Sequence, residues 1–480
     1  MVLIKKHHLP DAILLGIILL IAIAFRSYKI NTPLIEFHSW RQADTAAVAR
    51  NFARDGINLL LPRYDDVSPL QTGVDNPNGY RMVEFPLYNA VIAIAYRVAP
   101  FISITIWGRI ISIIESLIII ACLYAIAKRE MNRLAASIAG IIFAILPFFV
   151  FYTRAILPET MAIMFIMVSV YVIYSKQTWQ RVLISLICFC LAVLVKPTTI
   201  FYGLGVVYLL TRNQPLRVKN VGIRLVAVGL ALIPFALWRL YIQRFPEGIP
   251  GSEWLLAYTN TSQGLQNIYF RPAFFRWVFH ERLNLLILGS FNLVLFINGL
   301  LARTKTLLPY AFLISSAAYI FTFQGGNVQH EYYQILILPT VALFAGLGAA
   351  QLVKVAHDWK YQIVAYGIIV CSLIAGWFIS WDKVHHYYYS LSDIPQFAKI
   401  VQTFTSPTDR IVVDTGGDTT ALYAFDRKGS PGIYGGVAQM KEKGYGYVFT
   451  YNHTTADSLQ KEDPMIKRIF ENDRFVLFKL

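Results

Sequence analysis

Apolar stretches long enough to cross a bilayer recur from residue 11 to residue 380. A spanning helix needs about 20 mostly apolar residues, and in hydrocarbon each backbone N–H and C=O must find its partner inside the protein. The runs fall near 11–25, 107–127, 134–152, 160–175, 181–195, 198–211, 222–242, 283–301, 307–322, 333–353 and 361–380. The expected fold is mainly α, a polytopic transmembrane bundle of about eleven helices.

Composition agrees with this. Hydrophobic residues make up 56% of the chain and charged ones 15%, against about 25% charged in soluble proteins. A disordered chain, a coiled coil and a nucleic-acid-binding domain are excluded. The net charge of +15 needs no nucleic-acid partner, because cytoplasmic loops of membrane proteins are rich in Lys and Arg. Cys122, Cys188, Cys190 and Cys371 all lie inside apolar runs, which argues against a disulfide framework or a zinc site.

Charge also sets the topology. Lys5, Lys6, His7 and His8 precede the first run, so the N-terminus is expected to be cytoplasmic. Arg26, Tyr28 and Lys29 follow it in place of a small-residue cleavage site, so the run reads as a retained helix. Residues 27–106 then lie outside. The short run 85–99, with Pro86 and Arg97, decides the rest. If it spans, Lys128, Arg129 and Arg133 land outside. If it lies along the membrane surface they land inside, as the charge rule prefers, and this surface reading is adopted. The remaining inside loops carry Lys176 and Arg181; Arg212, Arg217, Lys219 and Arg224; Arg303 and Lys305; and Lys354 and Lys360. Outside lie 27–106, 153–159, 243–282, 323–332 and the tail.

The division expected is a transmembrane domain over 1–380, with 27–106 as its first outer loop, and a soluble extracytoplasmic α/β domain over 381–480. In the tail, 411–413, 447–449 and 475–478 read as buried strands, and Gly416-Gly417 and Gly435-Gly436 as turns. No internal repeat is visible, which weighs against an inverted-repeat transporter.

Several polar residues stand out against this background. In the first outer loop, Ala46, Ala47, Ala49 and Phe52 are spaced as a short helix over 42–54, with Asp44 near its start. There a carboxylate either caps the helix or does chemistry. Glu159 follows Pro158 at the outer end of a helix, either as a first-turn acid or as a functional group at unusual depth. Parity puts Asp44 and Glu159 on the same side, where two acids suit a general base and an acceptor or metal anchor. Arg154 reads equally as a headgroup contact. Lys196, before Pro197, sits between two apolar runs and suits either a phosphate or snorkelling to the headgroups. His330 and Glu331 stand beside Tyr332 and Tyr333, whose rings an interfacial belt explains. The pairs His7-His8 and His385-His386 lack the company of a metal site. Asp414-Thr415-Gly416-Gly417-Asp418 reads as a strand-end turn.

These motifs together are recognisable. They are an acid before Ala46-Ala47-Val48-Ala49-Arg50-Asn51, then Leu157-Pro158-Glu159, Lys196-Pro197 after a short helix, and His330-Glu331-Tyr332-Tyr333 before an apolar helix. Their order and common side resemble the GT-C glycosyltransferases of family 39 type. These include the dolichyl-phosphate-mannose protein mannosyltransferases and the bacterial aminoarabinose transferase of lipid A. The likeness extends over nearly the whole chain, including the small outer C-terminal domain.

The resemblance implies an enzyme that moves a sugar from a polyprenyl-phosphate carrier to a glycan, lipid or protein acceptor at the outer face. The reaction would be an inverting single displacement. Asp44 matches the acid that acts as base or orients the acceptor, with Glu36 as the fallback. Glu159 matches the acid of the second outer loop and Lys196 the lysine on the lipid phosphate. Arg50, and Arg154 beside it in role, would assist with charge. His330 and Tyr333 match the late motif that binds donor or acceptor. Glu84 matches a Glu that in some relatives precedes Lys-Pro and binds a divalent metal, but Phe85 stands where that lysine would be. No other cofactor is implied. A bacterial inner membrane, with the site on its periplasmic side, is the expected location.

Three rivals differ in testable ways. A flippase of lipid-linked sugars needs ionisable groups near the midplane, where Glu115 is the main one. A polysaccharide polymerase or ligase is expected to carry its large outer loop late, whereas here it comes first. A structural membrane protein would tolerate loss of its acids.

Overall fold

A computed structural model describes residues 9–212, 218–250, 271–358, 360–389 and 393–480. Lys5, Lys6, His7, His8, Arg217 and the 251–270 part of the third outer region lie outside the described residues. In chain order the helices that matter below are α1 (Leu9–Arg26), α2 (Ser39–Asp55), α3 (Leu87–Val98), α4 (Ile104–Glu130) and α5 (Arg133–Ile145). They continue with α6 (Pro147–Tyr152), α7 (Glu159–Ser175), α8 (Trp179–Val195) and α9 (Gly203–Thr211). The chain groups into two compact units. One joins Met1–Ile30, Arg109–Trp238 and Leu255–Tyr387, and the other joins Asn31–Gly108, Arg239–Trp254 and Tyr388–Leu480.

The first unit is helical. Among the described residues, Ile104–Glu130, Val221–Ile242, Glu331–His357 and Gln362–Tyr388 are long and apolar enough to cross a membrane. The other expected runs are mostly shorter apolar helices, such as Arg133–Ile145, Glu159–Ser175, Trp179–Val195, Pro197–Thr211 and Leu308–Thr322. Two runs differ from the expectation of a single straight span. The first breaks between α5 and α6, where Leu146 is extended ahead of Pro147. A proline has no N–H to give back to the turn before it. Arg26, fully buried, fills the gap by donating to the carbonyl oxygens of Phe143 at 2.8 Å and Ala144 at 3.0 Å, and to Thr153 Oγ1 at 3.0 Å. The second run bends by 117° between Pro272–Ile287 and Asn292–Leu300. Gly289 and Ser290 at that bend both have positive φ, which no α-helix accommodates.

Close packing in this unit relies on glycine. A Cβ on Gly348 would meet the Leu295 carbonyl oxygen at 1.8 Å, and one on Gly299 would meet that of Phe344 at 1.9 Å. Helices Asn292–Leu300 and Leu338–Asp358 therefore approach backbone to backbone, as small residues allow within membranes.

The second unit holds a five-stranded sheet of order β2-β1-β3-β5-β4, from β1 (Ile411–Val413), β2 (Gly429–Ser430), β3 (Tyr447–Thr450), β4 (Lys467–Glu471) and β5 (Val476–Lys479). β1 runs parallel to β2 and β3, and β5 antiparallel to β3 and β4. Strand alternation sends Ile411, Val413, Phe449 and Leu477 into a core with the Ile394–Phe404 and Thr420–Phe425 helices. Val412, Val448, Val476 and Phe478 face the other core, with Val437, Met440, Ala456 and Leu459. The short strands β2 and β4 carry no hydrophobic alternation and were not expected. The outer edge of β2 is covered by the first outer loop. Asp66 bridges to Gly429, Val67 N donates to Gly429 O at 2.8 Å, and Gly429 N donates to Asp65 O at 2.9 Å. Covering an edge in this way hides its open hydrogen-bonding groups.

α2 and α3 share a small core of Ala47, Val48, Phe52, Ala90 and Ala93, closed by Tyr64. The 12 residues of α3 reach about 18 Å, short of the roughly 30 Å of a hydrocarbon core. The 85–99 run is thus a short helix packed on α2.

Candidate active site

In the second unit the residues of interest gather on α2. This helix begins at Ser39, three residues before the expected start, with His38 in a left-handed conformation ahead of it. Asp44 therefore lies in the second turn, beyond the exposed N–H groups, and the helix-cap reading of it is corrected. Its Oδ2 lies 2.9 Å from Arg81 Nη2, and Thr419 Oγ1 donates to its Oδ1 at 2.7 Å. The side chain is buried. Burial pushes its pKa above the usual carboxylate range, against the pull of Arg81, Thr419 and Arg41; Asp418 pushes the same way as burial. A carboxylate with a raised pKa is a stronger base than a free one.

Arg50, one and a half turns further on, is engaged by carboxylates. It pairs with Asp65, lies 3.0 Å from Asp426, donates to Tyr423 O at 2.8 Å and covers the Tyr423 ring at 4.5 Å. Its place is to fasten α2 to the Thr420–Phe425 helix. Glu84 pairs with Arg41, and no group of three or more His, Cys, Asp or Glu suited to a metal occurs among the described residues. A guanidinium against the carboxylate is the wrong neighbour for a divalent cation, so the donor set at Glu84 does not fit one. Glu36 is buried and accepts from Thr32 Oγ1 at 2.9 Å.

The first unit holds the other residues. Lys196 ends α8 in an extended conformation, as a residue before proline must, and Pro197 opens a tight 3₁₀ turn to Tyr202. Thr199 N and Oγ1 lie 3.0 and 2.8 Å from the Lys196 carbonyl oxygen and hold the corner. Glu159 opens α7 directly after Pro158. The two side chains meet, with Lys196 Nζ 2.6 Å from Glu159 Oε1 and the carboxylate almost fully buried. A small apolar crevice of about 10 Å³ lies between Ile163, Ile166 and Met167 of α7, Thr199 and Tyr202 of the corner, and Leu336 and Pro339. Ile163 is one turn along α7 from Glu159 and so shares its face.

The late motif packs in the same unit. Gln324–Gln329 is a short helix where a loop was expected, with Gly325 and Gly326 buried in it. His330 stacks with Tyr332 and Tyr333, at 5.3 and 6.1 Å between ring centres. Tyr319 Oη donates to the Tyr333 carbonyl oxygen at 3.0 Å. Glu331 lies 3.4 Å from the buried Arg282, which also donates to Asn327 O. Arg154 is fully buried, donates to Lys29 O at 3.3 Å and lies over the Phe151 ring.

Arg81, Thr419 and Arg282 were not foreseen. Arg81 and Arg282 look like ordinary loop cations in sequence, and Thr419 lies 375 positions from the acid it touches.

The fold meets known proteins at this point. Over 98% of both chains it superposes on ArnT from Cupriavidus metallidurans bound to undecaprenyl phosphate, with a TM-score of 0.63 at 12% identity. The chain has the fold of ArnT. This is a fold of the kind the motifs implied. The archaeal oligosaccharyltransferase AglB from Archaeoglobus fulgidus, in complex with an inhibitory peptide and a dolichol-phosphate, matches over 93% of this chain and 69% of that one. Its TM-score is 0.56 at 12% identity. The arabinofuranosyltransferase AftD from Mycobacteria matches over 98% of this chain, which spans 41% of that larger protein, with a TM-score of 0.56 at 11% identity. Residues 83–239 match the family model described as dolichyl-phosphate-mannose-protein mannosyltransferase. No curated protein matches the sequence.

Proposed function

We propose that the chain transfers a sugar from a polyprenyl-phosphate carrier to an acceptor hydroxyl, at the periplasmic face of a bacterial inner membrane. The observation that carries this is the Lys196–Glu159 pair beside an apolar crevice. A cation beside an apolar surface suits an amphiphilic phosphate. The undecaprenyl phosphate on ArnT and the dolichol-phosphate on AglB support the same donor class. The outer face follows from the basic loops assigned to the inside.

The acceptor oxygen bonds to the anomeric carbon as the bond from that carbon to the carrier phosphate oxygen breaks. The electron pair leaves with the phosphate, which gains a negative charge. Lys196 meets that charge, and Glu159 holds the ammonium in position and charged. The hydroxyl proton goes to a carboxylate base, the part the sequence resemblance gives to Asp44. His330 and Tyr333 line the donor or acceptor, and Arg154 adds positive potential. Lys196 keeps the phosphate role expected of it, while Arg50, held by Asp65 and Asp426, is given to fastening α2 rather than to assisting with charge.

The test is sugar release from a panel of radiolabelled polyprenyl-phosphate sugars, by purified wild type and Asp44→Asn in liposomes, with a membrane extract as acceptor. Release by wild type and a loss of about 10²-fold or more in Asp44→Asn is expected. No release from any donor by folded protein would shift the function to a flippase or to a polymerase with a longer donor.

A further inference from the structure

We propose that Thr419, on the turn following β1, is a positioning residue for Asp44, so that the C-terminal sheet domain forms part of the catalytic centre. This rests on the reading of Asp44 as the base. Thr419 is buried, and its Oγ1 lies 2.7 Å from Asp44 Oδ1 and 3.2 Å from the Trp40 carbonyl oxygen. A hydroxyl has one proton to give. The carboxylate oxygen is both nearer and charged, so it is the stronger acceptor. Arg81 holds the other oxygen at 2.9 Å. The hydrogen bond to Oδ1 and the ion pair at Oδ2, which makes no hydrogen bond there, orient the carboxylate, and Oδ2 keeps its lone pairs for a substrate proton.

The turn that delivers the hydroxyl is itself fixed. Thr415 Oγ1 lies 2.7 Å from the Asp418 carbonyl oxygen and 2.8 Å from that of Pro431. Thr420 N donates to Asp418 Oδ1 at 2.8 Å, and Thr420 Oγ1 lies 2.9 Å from Ser39 Oγ. Gly416 and Gly417, with φ of +62° and +100°, let the chain reverse there. Two adjacent threonines thus reach the first turns of α2 from one rigid corner. A rigid corner keeps a general base aligned without reorganisation at each turnover.

The charged groups facing Asp44 are Arg81 and Arg41, which favour its ionised form, and Asp418, which opposes it; Asp44 and Asp66 also repel each other, and Tyr64 lies within reach of both. Behind Arg81 lies the Tyr64 ring at 5.2 Å, with Tyr64 Oη 3.4 Å from Asp66 Oδ2. The Thr419 hydrogen bond works with the arginines in favour of the ionised form, against burial.

The experiment compares Thr419→Val, which keeps the shape and removes the donor, with Thr419→Ser, which keeps the donor. Thr419→Val is expected to lower kcat about tenfold and move the acid limb of the kcat–pH profile to higher pH. Donor KM should stay within about twofold, and Thr419→Ser should restore both kcat and limb. If Thr419→Val does not fold, Thr419→Cys, with a weak donor, should give a limb between those of wild type and Asp44 without the bond. In an Asp44→Asn background Thr419→Val should leave the residual rate within about twofold; an equal fall in both backgrounds would overturn the proposal. A folded Thr419→Val, or Thr419→Cys in its place, with wild-type kcat and limb would overturn it too. Asp44→Asn separates the two possible failures. If that variant is active, the base assignment falls and the proposal with it; if it is inactive while Thr419→Val is normal, only the proposal falls.

Discussion

Lys196 Nζ stands 2.6 Å from Glu159 Oε1, and the carboxylate is almost wholly out of contact with solvent. A buried pair is costly to break from one side, because the survivor keeps its charge without its partner. Lys196→Met is expected to lower the unfolding free energy by about 3–5 kcal/mol and to raise donor KM about tenfold. The double variant Lys196→Met/Glu159→Gln should recover most of the stability and none of the donor affinity. Thermal unfolding in detergent and donor titration check the two halves; an unchanged donor KM in either variant would remove the phosphate contact.

Arg50 tests whether a basic residue in the right motif is a ligand or a fastener. Its guanidinium is held by Asp65 and Asp426. Arg50→Gln is expected to leave donor KM within about twofold and to cost about 2–4 kcal/mol of stability, since two carboxylates lose their cation. A tenfold rise in KM at normal stability would return Arg50 to the phosphate.

Asp66 gives a pH dependence. It is buried under β2, where desolvation pushes its pKa up to about 7 from 3.8, against its hydrogen bonds from Ser68. The native state keeps this proton up to about pH 7, while the unfolded chain releases it near 3.8. Stability is therefore lost as pH rises between these values, at up to about 1.4 kcal/mol per pH unit, and is flat above. Asp66→Asn should remove the slope. The gap between variant and wild-type unfolding midpoints is expected to widen from pH 5 to pH 7; a constant gap would mean that Asp66 is ionised throughout.

Arg26 tests the repair of the α5–α6 break. Arg26→Leu leaves the Phe143 and Ala144 carbonyl oxygens without their side-chain donor, at about 1–3 kcal/mol for each group left unpaired. A thermal midpoint equal to wild type would show that the break is satisfied otherwise.

The sidedness has its own check. In a cysteine-free chain, Met131→Cys should stay protected from a membrane-impermeant thiol reagent in intact cells and react once the membrane is opened. Labelling in intact cells would reverse the parity on which the outer face of Asp44 and Glu159 rests.

Element by element, the bundle was legible because lipid imposes a simple rule: apolar runs become helices. The strands at Ile411, Tyr447 and Val476 were legible for the same reason, through short apolar runs between turns. The bend at Gly289-Ser290 was not, since a single span and a broken one have the same hydropathy. Lys196 and Glu159 were visible as charges out of place among apolar neighbours. Their contact was not, because the residues lie on different helices. Arg81 and Thr419 carried no local signal at all. Their importance comes from what the fold brings to Asp44, and no periodicity records that.

The edge strand supplied by Asp65–Val67 to β2 also has a consequence in time. This segment is made early, yet its pairing partner Gly429 is made near the end of the chain. Arg50 and Tyr423, 373 positions apart, close the same gap. Closing so long a loop costs entropy before any contact rewards it. The surroundings of Asp44 are therefore completed only when synthesis is nearly over. Damage to the last strands of the chain reaches the first loop as directly as a substitution within it.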